Sequence, residues 1–283
     1  MPAPQSGKYI INKVSPSGIP NFFAPANDTE LIRLARIEGA VGADTGSAAA
    51  VLAWIATQDN LEAVNIEYGN IITDGLILNL DAGFTPSYPT TGTTWYDIAG
   101  DTFQNYNQSG NVGFSNGYFS FGGSNTGNFQ GTPPNITNEF TLGCWFRLTG
   151  TLTGGGPTML RSDPLGFLME FGDAGTNKMA VYAVFSDGAR SLSSDTLTEN
   201  IWYYGTFTVK SNSSMNCYVN GVLQSSLSIP SSTFSVSSYT LYAGYNAGEY
   251  YYGDIAIVQL YDRALSQTEI QQNFNAQKAR YGL

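Results

Sequence analysis

Residues 239–270 read YTLYAGYNAGEYYYGDIAIVQLYDRALSQTEI, and the rest of the chain can be organised around them. Small and aromatic residues alternate around Gly244 and Gly253, as strands joined by a turn do, and Ile255, Ile257 and Val258 supply the apolar content of a buried strand. A helix signal follows. Ser266 and Glu269 have the Ser-x-x-Glu spacing of a capping box, and Leu265 and Ile270 have the spacing of a hydrophobic staple. The stretch predicts a closing strand that hands over to a short docked helix.

Working outward, the chain is short of charge and rich in turn formers. Only 12% of its 283 residues are charged, while Gly (32), Tyr (18) and Phe (16) are abundant, a vocabulary that suits short strands and polar turns better than helices. Strands are predicted at 76–80, 118–121, 140–148, 158–161, 167–171, 179–185, 201–209, 215–219, 239–242 and 253–261. Gly122-Gly123, Gly154-Gly155-Gly156, Asp187-Gly188 and Asn220-Gly221 separate them. The last pair is a strong hairpin signal, because a type I′ turn needs positive φ at both central residues. With no helices between them, these strands imply an all-β antiparallel sandwich covering residues 73–283. Trp145, Phe207, Tyr218 and Ile257 are expected to meet across it. Trp145 and Trp202, inside strands, read as core anchors.

Residues 1–72 differ in character. Pro2, Pro4, Pro16, Pro20 and Pro25 interrupt regular structure and predict an extended arm over 1–26. Asn27 or Asp28 can cap a helix that ends at Gly39, and the Ala-rich run SAAAVLAWIATQ from Ser47 reads as a second helix. Two short amphipathic helices cannot form a core alone, so this segment is read as one that attaches or oligomerises the protein.

Charge and residue types exclude several functions. A net charge of −10, with lysines and arginines scattered, argues against nucleic acid and anionic membranes as partners. The longest apolar run, 48–56, is too short to span a bilayer, and MPAPQSGKYIINK lacks the apolar core of a signal peptide. Having no histidine, the chain lacks the commonest general base and metal ligand. Cys144 and Cys217 lie in apolar strand-like runs and read as buried core residues. Asp173, Asn177 and Asp187 offer hard oxygen ligands for calcium but read as ordinary turn formers, so no metal and no cofactor is assigned. The tyrosine group around the closing turn, Tyr242, Tyr245, Tyr250, Tyr251 and Tyr252, is the best candidate contact surface. Tyr245, Tyr250, Tyr251 and Tyr252 are assigned to a glycan or protein ligand, although alternate members on a strand must point inward.

Several blocks in order resemble the laminin-G-like, concanavalin A-like lectin/glucanase jelly rolls: GLILNLDAGFTPSYPTTGTTWYDIAG from Gly75, NGYFSFGGSNTGNF from Asn116, NEFTLGCWFRLTG from Asn138, IWYYGTFTVKSNSSMNCYVNGVLQSS from Ile201, and YYGDIAIVQLYDRALSQTEI. The first block and the closing Leu-Tyr-Asp-Arg-Ala-Leu-Ser are most similar to the versions found in tailed-phage virion proteins. The resemblance implies a jelly roll with a short C-terminal helix, displayed on a virion as a fibre, tip or decoration module. It also implies attachment to other virion proteins through residues 1–72, self-association there, and a host-surface glycan as the alternative ligand. Two departures weaken any metal or ligand role borrowed from relatives. Phe121-Gly122-Gly123 stands where relatives tend to read Phe-Asp-Gly, and Ile255-Ala256-Ile257-Val258 replaces a strand that tends to carry two acids. The Glu-x-Asp-x-x-Glu strand of retaining glycosidases on this jelly roll is missing, the nearest run being Glu170-Phe171-Gly172-Asp173, so no catalytic residue is assigned.

Overall fold

The computed structural model describes residues 11–14, 20–23, 71–99, 105–122, 127–150, 156–172, 176–244 and 251–283. It divides into two compact units, Met1–Ile71 and Ile72–Leu283. In the first unit, β1 (Ile11–Val14) and β2 (Pro20–Phe23) pair antiparallel, with Val14 opposite Pro20. This corrects the expectation of an arm without sheet: proline is tolerated as the first residue of a strand, and Pro20 takes that position. The two helices expected after Asn27 lie outside the described residues.

In the second unit the chain runs through β3 (Leu76–Asp81), β4 (Thr94–Tyr96), β5 (Asn105–Gly110), β6 (Gly113–Ser115), β7 (Tyr118–Gly122), β8 (Gly127–Gly131) and β9 (Ile136–Thr137). It continues through β10 (Glu139–Leu148), β11 (Thr158–Asp163), β12 (Phe167–Phe171), β13 (Lys178–Phe185), β14 (Gly188–Thr196), β15 (Trp202–Lys210) and β16 (Ser214–Val219). The last strands are β17 (Val222–Ser228), β18 (Ser235–Val236), β19 (Thr240–Ala243) and β20 (Tyr252–Tyr261), followed by helix α1 (Gln267–Gln277) and a 3₁₀ turn, Lys278–Tyr281. Two antiparallel sheets of eight strands form the jelly-roll sandwich. Sheet one has the order β17-β16-β15-β10-β20-β7-β6, with β3 on the C-terminal half of β20. Sheet two has the order β14-β13-β12-β11-β19-β8-β5-β4.

Every strand predicted from sequence is present, and β10 shows why its pattern was legible. Phe140, Leu142, Cys144, Phe146 and Leu148, two apart, enter the core between the sheets. Trp145, between them, faces the other way. A register shift between Trp145/Phe146 and Ile257/Ile255 leaves Ala256 as an extra residue in β20. Ile255, Val258 and Leu260 thus point into the sandwich while Ala256, Ile257 and Tyr261 point out. This overturns the expectation that Trp145, Tyr218 and Ile257 meet across the sandwich. Only Phe207 of that set lies between the sheets; the others form a second core on the outer face of sheet one, with Leu265 and Ile270. Trp202 is likewise only half-buried, at the rim of that second core, and not an inter-sheet anchor.

Helix α1 and the 3₁₀ turn cover the second core. Trp145 Nε1 donates to Gln277 Oε1 at 2.7 Å, and its ring stacks on Tyr281 with centroids 4.1 Å apart. Asn273 receives the Ile72 N–H and donates to the Tyr261 hydroxyl, which itself donates to the Ile72 carbonyl. The predicted start is present: Ser266 Oγ accepts from Glu269 N–H at 3.3 Å, and Glu269 Oε2 accepts from Ser266 N–H at 2.8 Å. Asn220 and Gly221 have φ of 52° and 80°, as a type I′ hairpin requires, and a side chain at Gly221 would strike Gln271 of α1.

Glu269 is also held by Arg263 Nη2 at 2.7 Å, and chiefly this bond lowers its pKa from 4.5 to about 2. Because the folded-state value is the lower one, the stabilisation is complete above pH about 4.5 and is lost as pH falls toward about 2. Chemical-denaturation curves across that window should fall less steeply with acid for Glu269→Gln than for the native chain.

Candidate functional site

The tyrosine group of the closing turn does not form one surface. Tyr245 and Tyr250 lie outside the described residues. Tyr251 is fully buried, stacked on Phe171 with an interplanar angle of 6°, and its hydroxyl donates to the Arg147 carbonyl at 2.9 Å. Burial pushes its pKa well up. Tyr251 is therefore a core residue and not a ligand contact: strand alternation turns it inward. Its neighbour Tyr252 points outward from sheet one, half-buried, beside Gly150.

A different surface is assembled by strand register on the outer face of sheet two. Ser191 lies opposite Tyr182, Tyr182 opposite Leu168, Leu168 opposite Arg161 and Arg161 opposite Tyr242. The row continues from Tyr242 to Gln130, Asn107 and Thr94. Eight side chains thus cross all eight strands, a span of about 34 Å at normal strand spacing. Its centre carries two half-buried tyrosines, Tyr182 and Tyr242, about 14 Å apart by strand count, with Leu168 and Arg161 between them. One flank is amide: Gln130 and Asn107 are exposed. Flat rings with hydroxyls and amides in a line can stack on sugar faces and bond their hydroxyls. Of these residues Tyr242 was in the tyrosine group read from the sequence, and Tyr182 had a signal in that Met179, Val181, Ala183 and Phe185 point inward and leave it outside. The others come from six strands that only pairing brings together.

Two acids on strands of sheet one are ion-paired. Asp254 is bonded by Arg147 Nε and Nη2 at 2.8 and 2.6 Å, and Asp81 by Arg280 at 2.6 and 2.9 Å. Asp187 is exposed and pairs with Arg190 at 2.8 Å, Asn177 bonds Glu199, and Asp173 lies outside the described residues. Among the described residues no three acidic or cysteine side chains are grouped to hold a metal ion. Cys144 and Cys217 are both free and buried, and burial raises their thiols, that of Cys217 to about 12.

The family model of the concanavalin A-like lectin/glucanases superfamily matches residues 121–271, more than half of the chain. The chain belongs to that superfamily. Similar solved structures include the binding domain of botulinum neurotoxin DC in complex with SialylT, with TM-score 0.58 and 17% identity over 72% of this chain and 52% of that one. The ligand-binding domain of botulinum neurotoxin serotype D in complex with N-acetylneuraminic acid has TM-score 0.57 and 18% identity over 73% and 52%. The binding domain of Paraclostridial Mosquitocidal Protein 1 has TM-score 0.55 and 18% identity over 72% and 52%. At these identities the likeness is one of fold, and the chain spans about half the length of each. No curated protein matches the chain.

Proposed function

We propose that this chain is a non-catalytic virion surface protein whose jelly roll binds a host-surface glycan along the outer face of sheet two. Residues 1–72 attach it to other virion proteins and to copies of itself. The observation that carries the binding part is the Tyr182–Arg161–Tyr242 row with its amide flank, which matches a polysaccharide strand laid across the β-strands. Tyrosine rings give stacking area at low entropic cost, and Gln130 and Asn107 can exchange hydrogen bonds with hydroxyls in either direction. Superfamily membership supports a lectin-like role, as do the ligands named with two of the similar neurotoxin domains. The missing Glu-x-Asp-x-x-Glu strand supports binding without hydrolysis, because a glycosidase needs two carboxylates poised at one bond. The virion location rests on the closing Leu-Tyr-Asp-Arg-Ala-Leu-Ser and the block from Gly75.

A glycan array probed with the full chain tests the reading. Retention by a defined set of glycans, with no reducing sugar released, is the expected result. Release of sugar, or retention by none, would remove it.

A further inference from the structure

The outer face of sheet one carries a second cross-strand row beside α1: Trp202, Arg147, Asp254, Ser120 and Gly113 stand opposite one another in turn. Its centre is Arg147. The guanidinium carbon lies 5.1 Å from the Tyr118 ring centroid and 5.0 Å from that of Trp202, a cation beside two rings that meet edge-to-face with centroids 5.4 Å apart. Nε and Nη2 both donate to Asp254 Oδ2, while Ser120 Oγ donates to Oδ1 at 2.6 Å. Asp254 is only 3% exposed, whereas a quarter of the Arg147 side chain reaches solvent. Burial alone would lower the pKa of Arg147, but the bonds and charge of Asp254, then those of Tyr118, outweigh it.

Guanidinium is planar and presents donors on two edges. Asp254 occupies the edge of Nε and Nη2, so Nη1 lies on the other side, fixed in direction by the two bonds to the carboxylate. We propose that this edge is a second ligand site, on the opposite face of the sandwich from the Tyr182–Tyr242 row, and that it takes the carboxylate of an acidic sugar. An arginine fork matches a carboxylate in shape and charge, and one already held by a buried ion pair loses little further freedom on binding. Asp254 balances the cation while the site is empty of ligand, so no unpaired charge is stored there. Trp202, Tyr118 and Tyr252 are half-buried on the same face, offering planes for the sugar ring, and Gly113 and Gly122 place no side chain at its far end. The sugar ring separates this ligand from a simple carboxylate, which lacks a face to stack.

The test is a titration of the full chain with glucuronate and with N-acetylneuraminate, each against its methyl ester, following the Trp202 indole N–H by NMR and assigning it with Trp202→Phe. Both acids should shift the Trp202 signal saturably and the esters should not. Arg147→Lys, which keeps the charge and loses the fork, should weaken the acids at least about tenfold. The Trp202 signal reports on the sheet-one face alone, so failure here and failure of the sheet-two reading are separable. Equal binding of acid and ester, native affinity in Arg147→Lys, acetate matching the sugars, or no shift with any ligand would overturn the proposal. The ester comparison needs only the native chain, so it stands even where a variant does not fold.

Discussion

Trp145→Ala should cost about 3–5 kcal/mol of stability, among the largest losses expected from any single side chain here. Trp145 is fully buried on the outer face of sheet one, stacked by Tyr281 at 4.1 Å and Phe274 at 5.8 Å, and bonded to Gln277. Truncation leaves a cavity that the rigid strand β10 cannot close, because its other face is locked into the inter-sheet core. It also strands Gln277 Oε1 and removes the surface on which α1 and the 3₁₀ turn rest. Chemical denaturation gives the loss, and limited proteolysis after α1 should show the C-terminal residues released first. Trp202→Ala, at the half-exposed rim, should cost clearly less. Equal losses would mean that the second core does not hold the closing helix.

Gly244→Ala should be nearly as damaging, although it adds one methyl. Gly244 has φ of +90°, where an L side chain costs roughly 1–2 kcal/mol, and its Cβ would overlap the buried Phe121 ring. Phe121 cannot swing away, since it packs between the sheets, so overpacking adds roughly 1–3 kcal/mol. Gly92 is the internal control. Its φ is +99° but nothing lies within 4 Å of the added Cβ, so Gly92→Ala should show the backbone penalty alone. The difference between the two denaturation free energies isolates the Phe121 contact, and no difference would refute it.

The fold was legible wherever one face of a strand is apolar at period two, as in β10 and β13. What escaped were polar strands at or near the sheet edges. β14 (GARSLSSDT) and β17 (VLQSSLS) have little apolar content because they end the sheets, where polar residues discourage pairing with other chains. β5 (NYNQSG) hides a strand behind turn-like residues, with Tyr106 alone buried. The helix start at Ser266 was legible because capping is local, within four residues. The inside-outside assignment of Ile257 was not, because the extra residue Ala256 in β20 reverses the alternation and is visible only in the pairing. The candidate site was mostly illegible for the same reason: Tyr182, Arg161, Tyr242, Gln130 and Asn107 lie on separate strands, and a run of adjacent tyrosines drew the reading to Tyr251, which alternation buries.

The central claim is that the outer face of sheet two binds a glycan through its tyrosines. It is tested most directly by titrating the full chain with the glycan best retained on the array, comparing the native protein with the Tyr182→Ala/Tyr242→Ala double variant. Each lost ring should remove about 1 kcal/mol, so affinity should fall roughly 30-fold, with the denaturation midpoint little changed because both rings are only half-buried. A double variant that folds and binds as tightly as the native chain would contradict the account.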